Sequence, residues 1–432
     1  MKKILLVSAL LFACFGKAAA QTTKEEMTAD LNKTGGVYYA YPVSESANTP
    51  APKGFKPFYI SHYGRHGSRY LISDEDYTRV ASLLAEASAS GALTPLGEEL
   101  RSRLDSLMKE TAGRGGDLTP LGVRQHRDIA RRMFEAYPEV FKGKVAISAR
   151  STLVPRCILS MDAFCESLKE QNPALDITRE STNRYMNYLC YHSPESNSYT
   201  SKEWKEQYRK FEEKHTHPDR LVASIFSDSD FVDKKVNPHD FAWSLYWIAS
   251  GMQDVETKLS FYDFFTPDEL FDLWRCFNYR FYSCDGNYPG NRGLPVANAA
   301  NLLRNIIDSA DAAIASGKTS ATLRFGHDGN LIPLAAILQL EDCALQEEDP
   351  EKFHTAFSDF KIAPMAGNVQ LIFFRNDKTG EVLVKLMLNE REKRIPVATD
   401  RFPFYRWDDV KNLYERVYKE NAAKITLTPL LP

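Results

Sequence analysis

Three short polar clusters carry the residue types that chemistry on a phosphate ester needs. They are Arg65-His66-Gly67-Ser68-Arg69, the lone Arg156, and His327-Asp328. Guanidinium forks match phosphate oxygens in both charge and geometry. Gly67 lets the backbone turn tightly beside a bound group. One imidazole nitrogen can attack phosphorus and become a phosphohistidine. The arginines can hold the charge on the three equatorial oxygens during transfer. A carboxylic acid can protonate the departing alcohol oxygen, and its carboxylate can then activate water. Each cluster alone is weak. Arg-His-Gly is short enough to arise by chance, and His-Asp is most often a hydrogen-bonded loop pair. What raises their weight is that each comes after a strand-like segment.

Those segments define the elements that must position the clusters. Phe58-Tyr59-Ile60-Ser61 has strand composition and runs into the first cluster. Val145-Ala146-Ile147-Ser148 reads as a buried strand; a polar connection, 149–155, then leads to Arg156 at the start of a helix reaching Leu168. Ser320 to Phe325 is strand-like and is succeeded by His327-Asp328. Open α/β sheets bind ligands beyond the carboxyl ends of their strands, so three such ends can converge on one point. Thr94-Pro95 and Thr119-Pro120 each offer a capping threonine with proline at the first helical position. The helix after Thr119 has a basic face, Arg124, Arg127, Arg131 and Arg132, which reads as solvated.

Residues 166–295 lack convincing strands. Trp204 to Lys214, Phe241 to Met252 and Pro267 to Arg280 read as helices, and 285–291 as a loop. Val296 to Ala315 is an amphipathic helix with Gly317 beyond its end. Leu331 to Leu340 reads as an apolar helix. Val369 to Arg375 and Val382 to Leu388 read as a hairpin around Asp377-Lys378-Thr379-Gly380, and Trp407 to Lys419 as the last helix. Residues 21–55 read as an irregular lead-in. The expected architecture is α/β, with a catalytic domain of residues 21–165 plus 296–432 and a mainly helical insertion, 166–295, roofing the cleft.

The first twenty residues read as an export signal: Lys2 and Lys3, an apolar run too short to span a bilayer, and Ala18-Ala19-Ala20 before Gln21. The protein is expected to be periplasmic or secreted, with lipid anchoring through Cys14 the less favoured reading. Removal of residues 1–20 takes away Lys2, Lys3 and Lys17 and no acid, so the formal charge of −3 becomes −6. That argues against a nucleic-acid partner. Nothing beyond the leader is long and apolar enough to suggest a membrane span. Six cysteines then remain, and their pairing is open. Cys157 and Cys165, about 12 Å apart along one helix, are too distant for a disulfide and read as buried thiols.

On these residues the chain resembles the histidine acid phosphatases, branch 2 of the histidine phosphatase superfamily, which includes phytases and multiple inositol polyphosphate phosphatases. Arg65-His66-Gly67-Ser68-Arg69 resembles the RHGxRxP signature and His327-Asp328 the HD proton-donor motif. Arg156, eight residues before Phe164, resembles the second-motif arginine, and Leu118 to Gly122 with Gln125 a helix start common in the branch. The resemblance implies a phosphoglycerate-mutase-like α/β sandwich with mixed sheet. It also implies His66 as nucleophile, Asp328 as proton donor, and Arg65, Arg69, Arg156 and His327 as phosphate ligands. No cofactor or metal is implied, because arginines supply the positive charge. The partner is then a small phosphomonoester. Arg69-Tyr70 resembles the multiple inositol polyphosphate phosphatases, and Leu71 stands where the signature has proline; yet those phosphatases typically carry HAE where this chain has His327-Asp328-Gly329.

The preferred substrates on this resemblance are inositol polyphosphates such as phytate. A broad-specificity acid phosphatase or a sugar-phosphate phosphatase is the first alternative. A secreted protein that binds phosphorylated ligands without turnover is the non-enzyme alternative, and it would need neither His66 nor Asp328. Among nearby residues, Arg150 reads as a salt-bridge residue and His62 as a packed, hydrogen-bonded neighbour.

Overall fold

The computed structural model describes residues 22–43 and 48–430. The expected leader and Cys14 lie outside the described residues. Among the described residues no helix is long and apolar enough to cross a membrane.

Eight strands form one sheet: β1 (Phe55–Arg65), β2 (Ala146–Ser151), β3 (Asp176–Ser181), β4 (Thr319–Gly326), β5 (Asn368–Asn376), β6 (Val382–Leu388), β7 (Arg391–Glu392) and β8 (Phe404–Arg406). Their order is β3-β2-β4-β1-β5-β6-β7, with β8 also on β6. β3, β2, β4 and β1 run parallel, whereas β5 runs antiparallel to β1 and β6 antiparallel to β5. The fold is therefore a mixed α/β sheet. Register brings the strand ends level. Arg65 sits opposite Gly326, and Ser151 opposite Phe325, so three parallel strands end in line. The next residues, His66, Thr152 and His327, leave from the same edge.

Alternation along β1 sends Tyr59 and Tyr63 to one face and Ile60 to the other. Tyr59 and Tyr63 share a core with the helices Ala300–Ser316 and Trp407–Ala422, through Leu303, Ile307, Val410 and Tyr414. Ile60 shares a second core with Pro120–Ala136 and Pro155–Gln171, through Ile129, Met133, Phe164 and Leu168. Both faces are thus covered, as the parallel part of a sheet requires.

Three sequence expectations need correction. The stretch 166–295 does contain a strand, β3, which extends the sheet beside β2. Asp176-Ile177-Thr178-Arg179-Glu180-Ser181 has one apolar residue because it is an outer, largely solvated strand, and hydrophobic alternation cannot reveal such an edge. The helix expected from Val296 to Ala315 is two, Leu294–Ala297 and Ala300–Ser316. Asn298 at the break accepts from Ser193 N (2.9 Å) and donates to Ser196 Oγ (2.9 Å). The lead-in is ordered as a helix, Lys24–Ala29, and a 3-10 segment, Leu31–Tyr38. That segment is held by Asp359 Oδ2, which accepts from Val37 N at 3.2 Å, and it delivers Tyr38 to the site. All six described cysteines are free thiols.

Candidate active site

The loop after β1 is built by close backbone contact. Arg65 N donates to Gly367 O (2.8 Å) and His66 N to Gly326 O (3.0 Å), which fixes the strand exit. Gly67 then passes against the start of the helix Pro120–Ala136. A Cβ on Gly67 would collide with the Gly122 carbonyl, and one on Gly122 with Ser68 O. Both positions therefore require glycine. Thr119 caps this helix through Gly122 N (3.2 Å), and its own N and Oγ1 donate to Ser68 O (2.9 and 3.0 Å). At Leu71, where the signature of the resemblance has proline, the backbone N donates to Tyr77 Oη at 2.9 Å. Proline has no N–H to make that bond.

The side chains converge on one point. Arg65 is fully buried; Nη1 donates to Ala363 O (2.8 Å) and Val37 O, and Nη2 meets Asp328 Oδ2 at 2.9 Å. Arg69 donates to Tyr70 O (2.8 Å) and Tyr38 Oη (3.3 Å), and its guanidinium lies over the Tyr38 ring. Arg156 reaches the group from the first turn of Pro155–Gln171, where its Nη1 lies 3.5 Å from Gly116 O. His327 precedes the helix Asp328–Ile337, and its ring stands 5.7 Å from that of His66. Its Nε2 lies 3.2 Å from Thr152 Oγ1.

His66 Nδ1 lies 2.9 Å from Gly67 O. A carbonyl oxygen can only accept, so Nδ1 carries the proton and Nε2 keeps its lone pair. Burial, and then Arg65, Arg156, Arg69 and His327, hold the His66 pKa well below the ordinary histidine value. Burial chiefly, with the three arginines, holds His327 at about 4, against the opposing pull of Asp328. Both rings are therefore neutral near pH 7. For Asp328, burial raises the pKa, but Arg65, His327 and Gly329 N–H outweigh it and bring it below the usual aspartate value. In the ligand-free site Asp328 is a carboxylate.

The arrangement is an anion cradle. Three arginines and two neutral imidazoles face a single carboxylate. The sequence profile of the Histidine phosphatase superfamily (branch 2) matches residues 64–389, three quarters of the chain. The chain belongs to branch 2 of the histidine phosphatase superfamily. No curated protein matches it in sequence. Among solved structures this phosphatase resembles the Bifidobacterium longum multiple inositol polyphosphate phosphatase in complex with inositol hexasulfate. The TM-score is 0.73 at 18% identity, covering 88% of this chain and 97% of that one. It also resembles the phytase from D. castellii (TM-score 0.69, 15% identity, 92% and 86% covered) and, more distantly, Hafnia alvei phytase (0.53, 13%, 88% and 100%). At these identities the likeness is one of fold.

The six residues singled out from sequence in this phosphatase, Arg65, His66, Arg69, Arg156, His327 and Asp328, lie together at one sheet edge. Arg150 does not join them; it pairs with Glu180 at 3.4 Å and donates to Tyr188 Oη at 3.0 Å. The expectation for His62 needs correction. It is packed as expected, between Phe164 and Phe325, but neither ring nitrogen has a hydrogen-bond partner among the described residues. Sequence reasoning missed Tyr38, Ser160, Thr152 and Asp254. Ser160 Oγ accepts from Gly67 N (3.1 Å), and Asp254 Oδ1 from Ser68 Oγ (2.6 Å). None belongs to a local motif, so only their packing reveals them.

Proposed function

We propose that the protein is a phosphomonoester hydrolase acting through a phosphohistidine, most suited to inositol polyphosphates such as phytate and working outside the cytoplasm. The observation that carries the reading is the neutral His66, its Nδ1 tied to Gly67 O so that Nε2 keeps its lone pair among the arginines. Nε2 attacks phosphorus while the P–O ester bond breaks. Arg65, Arg69, Arg156 and His327 hold the three transferring oxygens. Asp328 gives a proton to the leaving oxygen. Asp328, now a carboxylate, then takes a proton from water; the water oxygen attacks phosphorus, the P–N bond breaks, and inorganic phosphate leaves.

The lowered Asp328 pKa bears on how that proton arrives. A bound phosphate adds negative charge beside Asp328 and competes for Arg65, and both effects raise the carboxyl pKa. A monoester bound as the monoanion can also deliver the proton itself. Each route favours acidic over alkaline solution. Support for inositol polyphosphates comes from the fold likeness and from Tyr70.

A second reading, a phosphatase for singly phosphorylated sugars, is favoured by one feature. A cavity of about 320 Å³ lined by Trp247 and Phe277 has no excess of basic residues: Asp76, Glu212 and Asp240 stand against Arg79 and Arg280. Trp247 and Phe277 both pack on Tyr38. The deciding experiment is phosphate release from phytate and from glucose 1-phosphate at about pH 5 with chelator present, wild type against His66→Ala. Phytate turnover lost in the variant supports the first reading. Turnover of the sugar phosphate alone supports the second. Tight phosphate binding with no release from either, and no covalent adduct on His66, would leave a binding protein.

A further inference from the structure

The signature loop rests on a buried carboxyl that the reaction does not use. Asp254 ends a short turn of the helical region, Met252–Asp254, and is fully buried. Its Oδ1 accepts from Ser68 Oγ at 2.6 Å, while its Oδ2 is buried with no partner among the described residues. Ser68 is also clasped by Gln125, whose Oε1 accepts from Ser68 N and whose Nε2 donates to Ser68 Oγ, both at 2.8 Å. The same segment is anchored on either side of Asp254. Gln253 accepts from Ala40 N at 3.0 Å, and Glu256 pairs with Arg124 at 2.5 Å, one residue before Gln125. Ser68 lies between His66 and Arg69, so whatever holds Ser68 sets the spacing of the cradle.

We propose that Asp254 is a positioning residue for the phosphate cradle, holding Ser68 in its protonated state and weakening phosphate binding when it ionises. The inference rests on the proposed phosphate-binding role of the cradle. The groups facing Asp254 are Ser68 and Arg69 from the loop, Arg65 from β1, Tyr77 from the helix Glu75–Ala89 and Tyr262 from the turn Tyr262–Phe264. Tyr77 accepts from Leu71 N, Tyr262 Oη has no hydrogen-bond partner among the described residues, and burial keeps both phenols neutral. Neither can compensate a charge on Asp254. Burial pushes the Asp254 carboxyl up to about 8, against the pull of the Ser68 hydroxyl, Arg69 and Arg65. Below that value Asp254 is neutral and the arginines are left to the substrate. Above it a second carboxylate competes for Arg65 and Arg69, which face the phosphate.

The test is calorimetric binding of inorganic phosphate to the full chain from about pH 6.5 to about pH 9.5, for wild type, Asp254→Asn and Ser68→Ala. After correction for the ionisation of phosphate itself, wild-type affinity should fall on the order of tenfold across this range. Asp254→Asn accepts from Ser68 but cannot ionise, so its affinity should stay level. Ser68→Ala should lower kcat/KM on the order of tenfold at all pH values, with melting temperature near wild type. Asp254→Asn tracking the wild-type curve, or Ser68→Ala matching wild type in kcat/KM, would overturn the inference and leave the phosphate site standing. Failure of wild type to bind phosphate at any pH would overturn both.

Discussion

Two sets of arginines in this protein are treated in opposite ways. Along the helix Pro120–Ala136, Arg124 meets Glu256 at 2.5 Å, Arg127 meets Glu170 at 2.6 Å, Arg131 meets Glu135 at 3.3 Å and Arg132 meets Glu390 at 2.7 Å. These pairs are wholly or partly solvated, so each is worth at most about 1 kcal/mol. At the sheet edge the carboxylates are withheld. Arg69 and Arg156 have only neutral oxygens within hydrogen-bond reach among the described residues, and Arg65 alone has an ionised acid, Asp328. The nearby Asp254 is neutral near pH 7. Buried cations without counter-ions oppose folding. The site therefore stores positive charge for the proposed phosphate to neutralise, whereas the surface helix has neutralised its own.

The largest expected effects come from emptying the site. His66→Ala should lower kcat by at least about a thousandfold, since it removes the proposed nucleophile. Arg156→Gln should lower kcat/KM by about a hundredfold or more, by analogy with loss of one preorganised donor to a transition-state oxyanion. Arg131→Gln should leave kcat/KM unchanged. Equal effects of these two arginine variants in steady-state assays would break the comparison.

Stability sharpens the contrast next. Excess phosphate, at about a hundred times its dissociation constant, should stabilise the fold by about 2.7 kcal/mol, read as a rise in melting temperature. Arg156→Gln should melt at or above wild type without phosphate and gain less with it, since it removes an uncompensated cation. Arg131→Gln should track wild type within about 0.5 kcal/mol in both conditions.

Acid has a distinct and comparable effect. Beneath the cradle His62 is held at about 3 and His126 at about 4, in both cases chiefly by burial, beside Phe164 and Phe325. In the unfolded chain each would titrate near 6.5. Between about pH 6.5 and these folded values the unfolded chain binds more protons, so stability falls as pH drops through that window and levels off below it. His62→Leu should flatten this slope by roughly 3 kcal/mol between about pH 7 and about pH 4, measured by denaturant unfolding. An unchanged slope would mean that the cage is hydrated.

Much of the site is legible in the chain itself. Arg65 to Arg69 and His327-Asp328 are contiguous; residue type and position after strands mark them as an anion-binding group, and the family resemblance implies their separate proposed roles. Arg156 needed the helix behind it as context. The glycines at 67 and 122 are visible as residues, but the reason for them, mutual contact of two backbones, is not. β3 was hidden because a solvated edge strand has no apolar alternation to show. The lead-in was hidden because its order comes from Asp359, more than three hundred residues away.

What the sequence by itself determined is the chemical inventory: an imidazole to attack, guanidiniums to bind and a carboxyl to move a proton, each at the end of a strand. Those are properties of covalent identity and of short-range pattern. Only the tertiary structure decided that His62 packs with no hydrogen-bond partner among the described residues, which arginines received carboxylates, and that Asp254 from the helical region meets Ser68 of the loop. Charge state depends on burial and on neighbours distant in the chain, and neither is encoded in any local stretch of it.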